Sequence, residues 1–225
     1  ALLRWRSDFP RHARLQLSSR GACPIAWLGD GFEAYLDSLS PKTRKHARQY
    51  LRDTERAGIV AELADAATAD RHFDDLVRVH QERWVAAGEP GCFSAPRFTE
   101  FHRGLVRRWT ASGRVVLARF SHQGRIFAVL YGFVTGRKFD LYQFGVAPLD
   151  PGVVRSSGTA AFMLLMRQLA QRGIAHYDFL RGVSTYKKSL ATEQRQLFCA
   201  TCRRHTARAL LDRLRQLCVR AIRRF

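Results

Sequence analysis

The hydrophobic repeat switches from a helical period to a period of two at Gly113, and that switch most limits what this chain can build. Val115–Phe120, Ile126–Tyr131 and Phe139–Phe144 each alternate, with glycine-bearing turns between them at His122–Gly124 and Gly136–Lys138. Three such runs in succession predict an antiparallel meander. Upstream, the spacing is helical over Gly31–Arg56, about Thr68–Ala87 and about Arg97–Ala111. The first of these breaks near Ser40–Pro41, since proline suits a helix's first turn. Short strands are expected at Pro24–Leu28 and Ile59–Leu63. After the meander, Gly158–Arg172 reads as an apolar helix stopped by Gly173. Ala175–Leu180 follows as a buried strand, Ser184–Leu190 as a short helix and Arg195–Ala200 as a last strand. This is an α/β chain with a mixed, largely antiparallel sheet and flanking helices, not a bundle or an all-β fold.

At 225 residues, with 46% hydrophobic and 11% aromatic content, the chain can bury a sizeable core, which excludes a disordered segment. No apolar run approaches the roughly 20 residues needed to span a bilayer. It opens on Ala1, not Met, which leaves room for sequence upstream. The balance of 38 Lys and Arg against 19 Asp and Glu leaves a charge of +19. Such an excess favours nucleic acid, phosphorylated cofactors or an anionic membrane face. Five cysteines, an odd number, fit reduced thiols in the cytoplasm. Cys199 and Cys202, with His205 and Cys218, can be drawn as a zinc site. No second CxxC pair accompanies them, so ordinary buried cysteine is expected and no metal.

The last segment stands apart. Leu210, Leu214, Leu217, Cys218, Ala221, Ile222 and Phe225 make one apolar stripe, and eight arginines face a single acid, Asp212. A basic amphipathic helix is expected there, capping the core or lying against RNA or an anionic membrane surface.

Between the meander and the apolar helix stands Arg155-Ser156-Ser157-Gly158-Thr159-Ala160, an R-x-x-G-x-A pattern. Small residues let the backbone approach an anion closely. The opening amides of the next helix have no partners inside it and sit at the positive end of its dipole. The pattern resembles the pyrophosphate loop of the GNAT acyltransferases. Four stretches extend the likeness over residues 35–190, to the CelD-type branch of that superfamily, related to the Fem-type aminoacyltransferases. The first is the basic Leu39–Arg48, with S-x-K-x-R-K-x-x-R from Ser40. The second is His80-Gln81-Glu82-Arg83-Trp84. The third is Tyr142-Gln143-x-Gly145 followed by Ser157-Gly158-Thr159. The last is Tyr177-Asp178-Phe179-Leu180-Arg181-Gly182, then Tyr186-Lys187.

The resemblance implies a GNAT-like core at 59–203, after an N-terminal extension and basic helix at 1–58 and before the C-terminal helix at 204–225. It implies an N-acyltransferase that moves an acyl group from acyl-CoA, acetyl-CoA first, to a primary amine of a polar acceptor. The amine would attack directly, with no covalent enzyme intermediate. Arg155, Ser156, Ser157, Gly158, Thr159, Ala160 and Gly145 would hold the cofactor. His80, Arg83, Trp84, Tyr142, Gln143, Arg181 and Lys187 would line the substrate side. Tyr186 would protonate the departing thiolate, which suits a phenol of ordinary pKa near 10. Asp178, an acid within an apolar strand, is either a base or paired to Arg181 or another arginine.

One departure stands out: Val183-Ser184 replaces the acidic pair common after the F-L-R-G glycine, so no acid–base role passes to that position. Two other readings remain open, an aminoacyl-tRNA-dependent Fem-like transferase and a degenerate module that binds RNA or an anionic membrane. A cytoplasmic protein, at most peripheral to a membrane, fits each. The sequence carries no Ser, His and acid set with a family signature, and no G-x-x-x-x-G-K-[ST] loop. Nucleophile catalysis and nucleotide hydrolysis are therefore not expected.

Overall fold

The structure, a computed structural model, describes residues 13–182 and 184–204. The stripe expected within 205–225 lies outside them. Contacts divide the chain into Cys23–Arg195 and a smaller unit of the two ends, Ala1–Ala22 with Gln196–Phe225, whose described part is strand.

In chain order the elements are β1 (Ala13–Trp27), α1 (Phe32–Ser38), α2 (Pro41–Arg56), β2 (Val60–Leu63), α3 (Ala69–Ala86), α4 (Pro96–Trp109), β3 (Val115–His122), β4 (Arg125–Thr135) and β5 (Lys138–Val146). Then come α5 (Ser157–Gln171), β6 (His176–Asp178), α6 (Thr185–Leu190) and β7 (Glu193–Arg204). A 3₁₀ turn at Cys92–Ser94 sits in the loop before α4. The strands form one sheet in the order β2-β3-β4-β5-β6-β1-β7. The meander β3–β4–β5 is antiparallel, as its short turns require, and β5 runs parallel to β6. The mixed, largely antiparallel sheet with flanking helices is thus the fold that the sequence leads one to expect.

Alternation sorts the strand residues onto two faces. Val116, Ala118 and Phe120 join the cluster covered by α1, α2 and α5, whereas Val115 and Leu117 join Phe73, Leu76 and Val106 of α3 and α4. Two irregularities shift this pattern. The β4–β5 register slips between Tyr131/Gln143 and Gly132/Leu141, leaving Tyr142 as a bulge. Tyr142 meets His102 of α4, while Leu141 before it stays in the opposite cluster. Gly145 meets α3 so closely that an added Cβ would lie 2.6 Å from the His80 amide nitrogen and 2.9 Å from the Val79 carbonyl carbon.

Helix ends follow their local chemistry. Ser40 caps α2 by accepting from the Thr43 amide at 3.4 Å, Pro41 starts it, and Gly58 (φ 63°) follows its end. Several boundaries differ from expectation; β7, for one, runs over Glu193–Arg204 and not only 195–200. β1 begins at Ala13, well before Pro24. β6 stops at Asp178 rather than Leu180, because Leu180 takes a left-handed conformation (φ 57°) and its amide donates back to Asp178 Oδ1 at 2.8 Å.

Replacing Gly145 by Ala forces α3 off β5 and should cost about 1–3 kcal/mol. At Gly158 a Cβ would lie an ordinary 3.7 Å from a Val146 methyl. Gly158→Ala should therefore shift stability by less than about 1 kcal/mol. Urea denaturation of the two variants side by side checks the contrast.

Candidate active site

β5 and β6 are hydrogen-bonded neighbours over three pairs only: Lys138 with His176, Phe139 with Tyr177 and Asp140 with Asp178. Beyond Asp140, β5 continues through Leu141–Val146 while the chain after Asp178 turns out of the sheet. Their pairing therefore stops there, leaving a gap in which the rest of β5 has no β6 residue beside it. α5 follows β5 through the loop at 147–156.

The R-x-x-G-x-A segment divides into outward and inward residues. Arg155 is exposed. Ser156 occupies the N-cap position but turns its hydroxyl to Thr159 Oγ1 at 2.9 Å, leaving the first amides of α5 uncapped. Ser157 is buried, and its Oγ accepts the Leu149 amide at 2.9 Å, which latches the loop to the helix. Ala160 is fully buried, whereas Gly158 and Thr159 are partly exposed. The amides of Ser157, Gly158 and Thr159 have no acceptor inside the helix, so together with the dipole they form an anion site. Gly145 sets its α-carbon against α3, which explains its missing side chain.

Asp178 sits at the last pair before the gap and is buried. Oδ1 accepts from the Leu180 amide, and Oδ2 lies 3.9 Å from Lys138 Nζ, which also grips Asp140 at 2.7 Å. Its cation is thus a lysine on β5, not Arg181, which is exposed. Burial raises the Asp178 pKa; the Leu180 amide opposes that, the Asp140 charge adds to it, and Lys138 opposes it. Lys187 donates to the carbonyls of Phe179 at 2.7 Å and Arg181 at 3.4 Å, clamping the turn from α6. Burial lowers its pKa.

Tyr186 stacks on Phe162 of α5, with centroids 5.2 Å apart and planes 13° from parallel. Phe162 meets Phe144 of β5 edge-on at 5.4 Å, and the Arg83 guanidinium lies 5.8 Å from the Phe144 ring centre. Arg83 of α3 and Tyr186 of α6 are thus brought together across the open edge of β5. Burial raises the phenol pKa, while Ser184 and the Arg83 charge oppose it, so Tyr186 carries its proton at neutral pH.

His80 is 2% exposed; Trp84, at 41%, tilts against it from the surface. Burial lowers the His80 pKa, and contacts with Gln81 and Gln143 pull it partly back. His72 and His102 are also buried with lowered pKa values, from the same desolvation. His102 Nδ1 lies 3.0 Å from the Tyr131 hydroxyl, under Tyr142. Sequence reasoning missed Phe144, Phe162, Lys138 and Asp140. The two phenylalanines read as ordinary core, but Lys138 and Asp140 sit two apart on one strand and so share a face, a signal that was available.

Residues 41–188 match the family model for the acetyltransferase (GNAT) domain. The chain belongs to that family of acyl-transfer domains. Its fold is similar to the C-terminal domain of a protein from Agrobacterium fabrum described as a lysylphosphatidylglycerol synthetase, with a TM-score of 0.56 and 14% identity over 83% of this chain and 61% of that one. L-PGS from Bacillus licheniformis gives 0.58 at 14% identity, covering 88% and 64%. FemX gives 0.55 at 11%, covering 79% and 59%. The chain therefore spans less than two thirds of each of these proteins. No curated protein sequence matches it. Among the described residues, no group of three or more His, Cys, Asp or Glu side chains is arranged to hold a metal, and no helix is long and apolar enough to cross a membrane.

The three neutral histidines imply a pH dependence. Their folded pKa values lie below the ordinary 6.5. Their stabilising contribution is thus complete above about pH 6.5 and is lost as the pH falls through the lowered values. Thermal melts from pH 8 to 5 should hold steady and then decline below that point, and imidazole titrations by NMR should put His80 and His102 below 6.5.

Proposed function

We propose that this chain is an N-acyltransferase that takes an acyl group from acyl-CoA, acetyl-CoA foremost, and passes it to a primary amine of a polar acceptor. The observation that carries this reading is the parting of β5 and β6 after Asp140 and Asp178, beside the free amides that open α5. The CoA pyrophosphate would lie on Ser157–Thr159, with Arg155 as an outer contact. The thioester would enter the gap, where β5 main chain left without a neighbour polarises its carbonyl. The amine nitrogen attacks the carbonyl carbon, the bond to sulfur breaks, Tyr186 gives its proton to the CoA thiolate, and the proton released as the amine becomes an amide restores the phenol. Arg83 and Trp84 border the acceptor's approach. Asp178 and Lys187 shape the mouth of the gap, since both are engaged in holding the turn after β6.

The fold shared with FemX and L-PGS, together with the charge of +19, supports a second reading in which an aminoacyl-tRNA is the donor. RNA bound through the basic surface would be released steeply by salt. In a third, the module binds RNA or an anionic membrane without catalysis.

Gly158→Asp separates these readings. An acid in the first turn favours the helix, so the melting temperature should hold or rise, while its charge opposes a pyrophosphate. Calorimetry should show CoA binding to the native chain and at least about tenfold weaker binding to Gly158→Asp. Tyr186→Phe should lower kcat roughly 100-fold with KM for the donor unchanged. Absence of CoA binding, with tight and salt-sensitive binding of aminoacyl-tRNA, would overturn the first reading in favour of the second.

A further inference from the structure

Three side chains on the α3 face form an ordered relay that the strand gap does not use. Gln81 Nε2 donates to the Pro90 carbonyl at 2.7 Å, which fixes the amide so that its oxygen faces His80 Nδ1 at 3.1 Å. An oxygen there can only accept, so Nδ1 carries the imidazole hydrogen and Nε2 keeps its lone pair. Nε2 lies 3.7 Å from Cys92 Sγ. The thiol hydrogen is therefore directed at a base that a third group holds in place, the arrangement that activates a thiol for acyl transfer.

The surroundings fit that chemistry. His80 is buried while Cys92 is partly exposed. Burial raises the thiol pKa and lowers that of the imidazole, so both rest neutral; the amides of Cys92 and Phe93 lie on the sulfur's side. The pair also borders the part of β5 that β6 has left. The His80 main chain packs on Gly145, its ring senses Gln143, and the Tyr142 phenol senses Cys92.

We propose that Cys92 is a second acceptor of the donor's acyl group, loaded when no amine fills the gap. Sγ attacks the thioester carbonyl as its proton passes to His80 Nε2. The new carbon–sulfur bond forms, the bond to the donor sulfur breaks, and the departing thiolate takes the proton from His80. One thioester replaces another, so no further reactant is needed. An incoming amine then takes the acyl group from Cys92, and its proton returns through His80 to the sulfur. The CoA-dependent form rests on the proposed function, whereas the thiol chemistry needs only a thioester.

The test uses the whole chain, treated separately with acetyl-CoA and with S-acetyl-N-acetylcysteamine, a small thioester without phosphates. Acid quenching and peptide mass spectrometry locate the label. One acetyl group should appear on the Cys92 peptide from both reagents, at least about tenfold faster than on the exposed Cys202, and about tenfold slower in His80→Gln of unchanged melting temperature. Gln81 is a positioning residue: imidazole nitrogen shifts should report the Nδ1–H tautomer of His80 in the native chain and a mixture in Gln81→Leu. Cys92 labelled by the small thioester in a chain that binds no CoA would overturn the donor reading and leave the thiol site standing. CoA binding without a Cys92 adduct from either reagent, preferential labelling of Cys202, or an Nε2–H tautomer in the native chain would each overturn the thiol site.

Discussion

The opening in the sheet depends on a hydrogen bond two residues long, from the Leu180 amide to the Asp178 carboxylate. A non-glycine residue in the left-handed region costs on the order of 1–3 kcal/mol and persists only where its surroundings hold it. Here Lys187 binds the carbonyls of Phe179 and Arg181 on either side of Leu180, and the Phe179 amide donates to Pro24 of β1 at 3.0 Å. With the chain turned out at that point, β6 cannot follow β5, and Leu141–Val146 keep an unpaired edge. The buried Asp178 and the partly buried Asp140 are close enough to repel, and Lys138 between them offsets that repulsion. The same lysine and carboxylates that close the paired part of the strands thus mark where the pairing ends.

The other border of β5 is set by α3. Gly145 removes the one side chain that would hold the helix away, and the Tyr142 bulge turns an aromatic ring onto the α3–α4 face next to Gln143. The end of α3 is then near enough for Arg83 to reach past the strand's edge to Phe144, and through Phe144 and Phe162 to be linked with Tyr186. Elements far apart in sequence meet here only because one strand has no neighbour.

Much of this was legible from the residues. Period two marked the meander, period 3.6 the helices, and the small residues at Ser156–Ala160 the start of α5. What stayed hidden depended on distance rather than pattern. Leu180 reads as one more apolar residue of an extended strand, so nothing in the sequence shortens β6 to Asp178. Gly145 stands in a family motif, yet its neighbour is a helix backbone that starts about 70 residues earlier. Lys187 looks like an anion contact until the two carbonyls it serves are in place. The orientation of His80 needs the Pro90 carbonyl, which only the folded loop supplies.

The latch between Ser157 and the Leu149 amide has a thermodynamic consequence of its own. It ties the loop to the first turn of α5 before any ligand arrives, so the uncapped amides already stand in their final directions. An anion captured there has little chain to organise, and less of its interaction energy is spent against conformational entropy.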